Sequence, residues 1–263
     1  MERENVGIIG YGKMGKLLAR QFSERYKIGI YSKGDFETEF KILDSVESLY
    51  VFSDYLIITV PAKEIPSILD KISRIDLDEY KVIFDISTFK KEVIDEYKGL
   101  PKHLKVASAH PMFGEGVDTL KDENVIVVPV EERESGAEHV ERFFEEFGAD
   151  VSRMKVDKHD ELMKVLIGIP YFFGISYLRL ISDFDEIERY GGTSFEFLST
   201  YGKAVLNDSH EFIYEVIDNS IDSIERNLKN LDFDKEEINR LQENYVDEID
   251  ENYSKIYEML GRE

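Results

Sequence analysis

The sequence of 263 residues contains no cysteine. This absence excludes disulfide bonds, a cysteine-ligated zinc site and a thiol nucleophile. A chain without cysteine fits a reducing compartment, so we expect a cytoplasmic protein. The sequence predicts no metal site of another kind.

The sequence also lacks a long apolar stretch and an excess of positive charge. No apolar run approaches the roughly 18 residues of a membrane span, and the opening MERENVGIIG has no secretory-leader pattern. There are 55 acidic against 33 basic residues, a formal charge of −22. Because such a surface repels phosphate backbones and anionic lipids, we expect neither nucleic acid nor a membrane as a partner.

Short apolar runs alternate with helix-like stretches up to about residue 155. Buried runs this short, separated by helices, predict a mostly parallel sheet that is covered on both faces. The predicted strands are 6–9, 28–31, 55–60, 81–85, 106–109 and 124–130, and the predicted helices include 63–72, 90–97 and 136–147.

Strand signals stop after about residue 155, and long helices are predicted at 157–180, 208–228 and 234–260. Asp234 and Glu237 have the spacing of a capping box, which begins a helix. The last helix carries one apolar stripe, formed by Ile238, Leu241, Tyr245, Ile249, Tyr253, Ile256 and Leu260. We therefore predict an α/β domain at 1–155 and an all-α domain at 156–263, whose stripes are buried internally or against a second copy.

A glycine pattern follows the first predicted strand. Gly10 suits the tight turn, Gly12 lets the backbone approach a pyrophosphate, and Gly15 lets helix and strand pack closely. The helix N-terminus then offers free N–H groups to the negative charge. In this strand–turn–helix setting the pattern predicts a Rossmann-type dinucleotide site, with a loop made of Gly10, Tyr11, Gly12, Lys13, Met14 and Gly15.

The end of the second strand indicates which nucleotide binds. NAD-binding versions carry an acidic residue there, which bonds the ribose 2′-OH. Here Ser32 takes that position and Lys33 follows, and a hydroxyl beside a cation suits a 2′-phosphate. We therefore predict NADP over NAD. The competing interpretation is that Asp35 serves the ribose.

The third strand, 55–60, ends in Thr59, Val60 and Pro61, at the sheet edge where ligands bind in such folds. We assign these three residues to the cofactor site. Thr59 either lines the cofactor or packs the end of the strand.

Two later segments carry more information. The first is Asp85-Ile86-Ser87-Thr88-Phe89-Lys90, and the second is His110-Pro111-Met112-Phe113-Gly114 at the end of the next strand. Histidine at such an edge is a natural acid or base, because its unperturbed pKa is near 6.5. An isolated histidine there more often only caps the strand.

The His-Pro-Met-Phe-Gly segment after a Rossmann pattern resembles the prephenate and arogenate dehydrogenases of tyrosine biosynthesis. The resemblance implies that His110 is the catalytic base and that Thr88 is the hydroxyl that helps to hold it, with Ser87 able to stand in. His159, in Lys158-His159-Asp160, matches a family His-Asp pair that opens the first helix of a dimerising, substrate-binding domain. A helix-face role for His159 is the alternative. The resemblance also implies a homodimer formed by the helical domain.

The resemblance implies a reaction as well. Prephenate would give up a hydride from its hydroxyl-bearing ring carbon to the nicotinamide and would lose its ring carboxylate as CO2, which leaves 4-hydroxyphenylpyruvate. His110 would take the hydroxyl proton, so turnover should fall as the pH drops through a pKa of about 6 to 7.

Two departures from the family leave the substrate open. Tyr171 stands where the family has a second histidine, and Lys203 stands where it has an arginine that grips a carboxylate. Lysine binds a carboxylate as a point charge and not as a fork. The alternatives are arogenate or an amino-substituted prephenate as substrate, another Rossmann reductase such as an imine or pyrroline-carboxylate reductase, and a non-catalytic NADP-binding relative.

Overall fold

The computed structural model describes residues 4–76, 80–230, 234–246 and 248–261. The chain forms two compact units, Met1–Glu161 and Leu162–Glu263, which we call the sheet unit and the helical unit. The division lies after Glu161 and not after residue 155 as predicted. The reason is that Asp160 accepts hydrogen bonds from the backbone N–H groups of Lys90 and Lys91. These bonds attach the start of the helix that begins at Val156 to the sheet unit.

The sheet unit is built on one sheet, in which we find eight strands among the described residues. They are β1 (Asn5–Ile9), β2 (Lys27–Tyr31), β3 (Lys41–Ile42), β4 (Tyr55–Ile58), β5 (Val82–Asp85), β6 (Lys105–Pro111), β7 (Asn124–Pro129) and β8 (Asp150–Arg153). The strand order is β3-β2-β1-β4-β5-β6-β7-β8, and every neighbouring pair is parallel except β6 and β7. The predicted mostly parallel sheet is confirmed. β3 and β8 were not predicted, because both are short and exposed.

In the described residues, five α-helices lie in the sheet unit or begin there: α1 (Lys13–Phe22), α2 (Val46–Phe52), α3 (Ile65–Ser73), α4 (Glu134–Glu145) and α5 (Val156–Met163). An aromatic cluster forms much of the core, with Phe22 packed 4.7 Å from Phe143, centroid to centroid. Such edge-to-face packing adds to the stabilisation from buried apolar area. The predicted helix 90–97 is wrong. That segment forms consecutive tight turns and a short 3-10 helix (Glu96–Gly99), because the backbone N–H of Lys90 bonds Asp160 and its side chain is fully buried.

The sheet brings the predicted site segments to one edge. Strand order reverses at β1, which lies between β2 and β4, and in open α/β sheets ligands bind at such a switch point, outside the carboxyl ends of the strands. Gly10 follows β1 and Thr59 follows β4 at this point. Asp85 ends β5, where it is in register with Ser108 of β6, so His110 lies at the same edge.

The helical unit contains α6 (Ile169–Ile181), α7 (Thr193–Val205), α8 (His210–Lys229), α9 (Lys235–Asn244) and α10 (Ile249–Met259). A π-helical segment, Lys164–Gly168, joins α5 to α6. The predicted helix 234–260 is broken between α9 and α10, and α7 was not predicted. Asp234 caps α9 as predicted, accepting the N–H of Glu237 at 2.8 Å.

The continuous helix Val156–Ile181 bears on the expectation that the chain has no membrane span. It contains an 18-residue window with a mean hydropathy of 1.4, of which 11% is buried in the structure. By length and composition alone, this helix is able to cross a membrane. That is weak evidence, because a helix that is covered by other protein passes the same test.

Candidate active site

The glycine loop has the backbone that its motif requires. Gly10 has a φ of +100°, a conformation that side chains with a Cβ rarely adopt. A Cβ on Gly15 would lie 2.4 Å from the carbonyl oxygen of Gly10, so only glycine fits there. A Cβ on Gly12 would meet no atom within 4 Å. The loop thus leaves open space in front of Gly12 and the N-terminus of α1, which fits the approach of a pyrophosphate.

Thr59 supports this loop from below. Its hydroxyl lies 2.9 Å from the carbonyl oxygen of Gly10 and 3.1 Å from that of Ile9, and it donates to this pair. The hydroxyl is therefore engaged with the backbone, which favours the packing interpretation of Thr59. Val60 is half-buried next to it, and the exposed Pro61 precedes a short 3-10 helix, Ala62–Glu64.

The end of β2 has a feature that sequence reasoning missed. The Ser32 hydroxyl accepts the backbone N–H of Tyr11 at 3.3 Å, while Asp35 is exposed. The ammonium group of Lys33 is paired with the carboxylate of Glu64, and this hydrogen bond raises the pKa of Lys33. Glu64 could have been suspected, because the segments that follow β2 and β4 meet at the same sheet edge.

Lys13 and Met14 are the other long side chains of the glycine loop. The ammonium group of Lys13 lies 3.1 Å from the carboxylate of Glu115, which follows the His110 segment in the chain. Met14 is half-buried. Lys13 thus connects the glycine loop to the segment that carries the proposed base.

His110 is buried at the end of β6, with 5% of its surface exposed. Its Nδ1 lies 3.1 Å from Nε2 of His159, and Nδ1 of His159 lies 2.7 Å from Oδ1 of Asp160. Burial lowers the pKa of His110 well below its ordinary value, and the nearby Lys90 ammonium and His159 lower it further. His110 is therefore neutral near pH 7, as a base must be.

A buried charged network lies beside His110. Lys90, with no exposed surface, donates to the carbonyl oxygen of Ala109 at 2.5 Å and lies 3.4 Å from Oδ1 of Asp85. The hydroxyl of Tyr97 donates to Oδ2 of Asp85 at 3.0 Å. Burial alone would raise the pKa of Asp85, but Lys90 and its hydrogen bonds outweigh burial and lower that pKa.

The two predicted hydroxyls differ in their roles. Ser87 donates to Oδ1 of Asp85 at 2.6 Å, so its hydroxyl belongs to the buried network. Thr88 is buried in the turn between β5 and Lys90, with 8% of its surface exposed.

The predicted substrate residues of the helical unit have separate partners. The hydroxyl of Tyr171 donates to Asp208 at 2.6 Å, and burial followed by this contact raises the pKa of Tyr171. Lys203 is exposed, and its ammonium group lies 3.2 Å from Glu188. His159, the third predicted substrate residue, is fully buried against His110 and lies in the sheet unit.

A glycine loop at the switch point and a buried histidine at the same sheet edge are the arrangement of a Rossmann-type nucleotide-binding domain. Residues 30–153 match the family model described as the prephenate dehydrogenase, nucleotide-binding domain. The resemblance to the prephenate and arogenate dehydrogenases predicted from the sequence is therefore confirmed, and it is carried by residues 30–153.

Individual known proteins are similar to this chain. A probable arogenate/prephenate dehydrogenase of Methanocaldococcus jannaschii is 24% identical over 155 residues, which are 55% of this chain and 34% of the relative. The match thus spans about a third of that curated relative. Two solved structures share the fold: prephenate dehydrogenase from Aquifex aeolicus in complex with hydroxyphenyl propionate and NAD+ (TM-score 0.71, 22% identity, 97% of this chain and 99% of that chain) and Synechocystis arogenate dehydrogenase (TM-score 0.69, 13% identity, 94% and 99%).

Proposed function

We propose that this protein is a prephenate dehydrogenase that uses NADP. The observation that carries the proposal is His110, which is held neutral and buried at the sheet edge that also carries the glycine loop. The family match of residues 30–153 supports the reaction class.

In this reaction the hydroxyl-bearing ring carbon of prephenate loses a hydride, and the opposite ring carbon loses its carboxylate as CO2. Bound NADP+ would supply the hydride acceptor. His110 takes the hydroxyl proton as the hydride leaves, and the phenolate oxygen that forms on aromatisation takes a proton back. The products are 4-hydroxyphenylpyruvate, CO2 and the reduced cofactor, with no net release of protons. The protein mainly orients the ring and moves one proton, because aromatisation drives the step.

The preference for NADP is supported by the end of β2. Ser32 and Lys33 take the place of the carboxylate that binds a ribose 2′-OH in NAD-binding versions. Glu64 acts against this preference, because it neutralises Lys33 and would lie near an added phosphate. We therefore expect a moderate preference for NADP and not an exclusive one.

Arogenate or an amino-substituted prephenate is the second candidate. The observation that favours it is the pairing of Lys203 with Glu188, since a lysine that already has an acidic partner is a weaker carboxylate clamp than an arginine fork. Arogenate carries an ammonium group beside its side-chain carboxylate, so a site with both charges suits it.

Initial-rate assays with prephenate or arogenate, each with NADP or NAD, test these proposals. We expect the highest kcat/KM for prephenate with NADP. Faster turnover of arogenate would keep the reaction and change the substrate. No turnover of either substrate, together with normal cofactor binding, would identify a non-catalytic relative.

We further propose a cytoplasmic homodimer formed through the helical unit. Among the described residues of this unit the buried apolar side chains are few, namely Met163, Val205, Val216 and Ile224. Many large apolar side chains of the unit are exposed, including Leu180 (68%) and Phe173 (49%). In the described part of the sheet unit, the exposed large apolar side chains are Ile42, Val51 and Tyr80. Apolar surface on this scale indicates a protein partner, and a second copy would also cover the apolar helix Val156–Ile181.

A further inference from the structure

His110, His159 and Asp160 form a line of three hydrogen-bonding groups in the sheet unit. The two contacts are 3.1 Å, between Nδ1 of His110 and Nε2 of His159, and 2.7 Å, between Nδ1 of His159 and Oδ1 of Asp160. His110 exposes 5% of its surface and Asp160 exposes 7%, and His159 is completely buried. Water therefore does not compete for these contacts.

The carboxylate of Asp160 determines which ring nitrogen of His159 and of His110 carries the proton. Burial would raise the pKa of Asp160, but its hydrogen bonds to His159 and to backbone N–H groups outweigh burial and lower that pKa. An ionised carboxylate only accepts hydrogen bonds, so Nδ1 of His159 must carry the proton. Burial keeps His159 neutral by lowering its pKa, so its Nε2 is an acceptor. Nδ1 of His110 then donates to it, which leaves Nε2 of His110 as the ring nitrogen with a free lone pair.

Asp160 is itself fixed by the backbone. Its Oδ2 accepts the N–H of Lys91 at 2.9 Å and that of Lys90 at 3.2 Å, and the Lys90 N–H also lies 3.0 Å from Oδ1. These donors belong to the turn that follows Ser87 and Thr88. The carboxylate therefore holds the histidine pair and the turn in one arrangement.

We propose that Asp160 and His159 are positioning residues that hold His110 in the tautomer whose Nε2 accepts the substrate proton. This inference rests on the proposed function for the identity of that proton, whereas the tautomer can be measured without turnover. It also assigns His159 a role behind the base, in place of direct contact with the substrate.

Asp160→Asn makes a specific test, because the backbone dictates how the new amide is oriented. The two N–H groups hold its oxygen at the position of Oδ2, so its NH2 group points at Nδ1 of His159. His159 must then carry its proton on Nε2 and donate to Nδ1 of His110. The proton of His110 moves to Nε2, so this nitrogen can no longer accept the substrate proton, although the positions of the side chains are unchanged. A buried aspartate behind a histidine in the serine-protease triad has this consequence when it is changed to asparagine.

The direct readout is 15N NMR of imidazole-labelled protein. The chain has five histidines, so the His110 signals are assigned with a His110→Asn variant. We expect the proton on Nδ1 in the unmodified protein and on Nε2 in Asp160→Asn. A proton on Nε2 of His110 in the unmodified protein, or no change of tautomer in Asp160→Asn, would overturn the proposal.

The kinetic readout is the division of the effect between kcat and KM. Asp160→Asn should lower kcat by about 100- to 10,000-fold with little change in the KM for cofactor. Asp157→Asn is the matched control, because it removes the same charge from an exposed position of the same helix. Loss of kcat in both variants alike would assign the effect to charge and contradict positioning.

A second pair of variants tests the positioning role of His159 if Asp160→Asn does not fold. In His159→Gln the amide oxygen can accept from Nδ1 of His110 while the NH2 group donates to Asp160, whereas His159→Leu offers neither group. We expect His159→Gln to retain at least tenfold more kcat than His159→Leu. Equal activity of the two would contradict the proposal. If no substrate turns over in the unmodified protein, the proposed function fails while the NMR result still decides the tautomer.

Discussion

Lys90 donates from its buried ammonium group to the carbonyl oxygen of Ala109 at 2.5 Å, one residue before the proposed base His110. The same ammonium group lies 3.4 Å from the buried carboxylate of Asp85. One side chain thus ties the end of β5 to the end of β6. Its charge also lowers the pKa of His110 in addition to the larger effect of burial.

Lys90→Met should destabilise the fold strongly. It leaves the carboxylate of Asp85 buried without its cation, and breaking a buried pair costs about 3–5 kcal/mol. Urea unfolding measures the change in the free energy of unfolding. The double variant with Asp85→Asn should be more stable than the sum of the single effects predicts. A loss of about 1 kcal/mol or less, the value of an exposed ion pair, would contradict this assignment.

His110→Asn should abolish most of the turnover. Asparagine keeps a similar size and one hydrogen bond but cannot take the proton, so kcat should fall by about 10²- to 10⁴-fold. Cofactor affinity, measured by fluorescence titration, should hardly change, because the glycine loop carries it. Thr88→Ala should cost less. Near-normal turnover of prephenate by His110→Asn would show that another group is the base.

The acid limb of the pH profile should lie below pH 6.5. Burial, then Lys90 and His159, hold the pKa of His110 well below its ordinary value of 6.5. The base works in its neutral form, so activity is retained until the pH falls through this lowered pKa. The structure thus moves the expected limb below the range of about 6 to 7 that an ordinary histidine predicts. A limb in kcat/KM above pH 6.5 would be inconsistent with this environment.

Ser32 and Glu64 should shift cofactor preference in opposite directions. Ser32→Asp adds an acceptor for a ribose 2′-OH and repels a 2′-phosphate, so it should favour NAD. Glu64→Gln releases Lys33 from its ion pair and should tighten NADP binding severalfold with little effect on NAD. Glu145→Gln, an exposed change on α4, controls for net charge. Tighter binding of NAD than of NADP to the unmodified protein would disprove the proposed preference.

The dimer should dissociate when charge is placed on its apolar helix. Light scattering of the unmodified protein should give a mass near twice the 30.6 kDa of one chain. Leu180→Glu puts a charge at a side chain that is 68% exposed in the single chain, and burying an unpaired charge is unfavourable. Ile42→Glu, at a 55% exposed position of the sheet unit, is the matched control. A monomeric unmodified protein at micromolar concentration would contradict the proposed assembly.

Local backbone rules made the cofactor loop predictable from the sequence. Gly10 needs a positive φ, and Gly15 must lie against the carbonyl of Gly10, so each glycine has a cause within a few residues. The strands of the parallel sheet were predictable as well, because buried strands are continuous apolar runs. The prediction of a helix at 90–97 was wrong because the cause of the observed structure is not local. The polar residues of this segment fit an exposed helix, but Lys90 is bonded to Asp85 and Asp160, and the tertiary fold brings these partners to it.

The relation between His110 and His159 could not be predicted from spacing, because 49 residues separate them. The sequence pattern indicated that each residue belonged to a motif, and the fold determined that they touch. The pairing of Lys33 with Glu64 depends in the same way on two strand ends that meet only in the sheet. Long-range contacts between charged side chains carry little local signal, so sequence reasoning places the residues but not their partners.

The π-helical segment Lys164–Gly168 determines the direction in which the side chains of α6 point around the helix axis. A π turn accommodates one residue more than an α turn. A chain one residue shorter here would rotate each later side chain by about 100° around the helix axis. Tyr171 would then turn away from Asp208, and Gly174 would turn away from Gly202, whose backbone it now approaches closely. A single inserted residue thus aligns α6 with Asp208 and with α7.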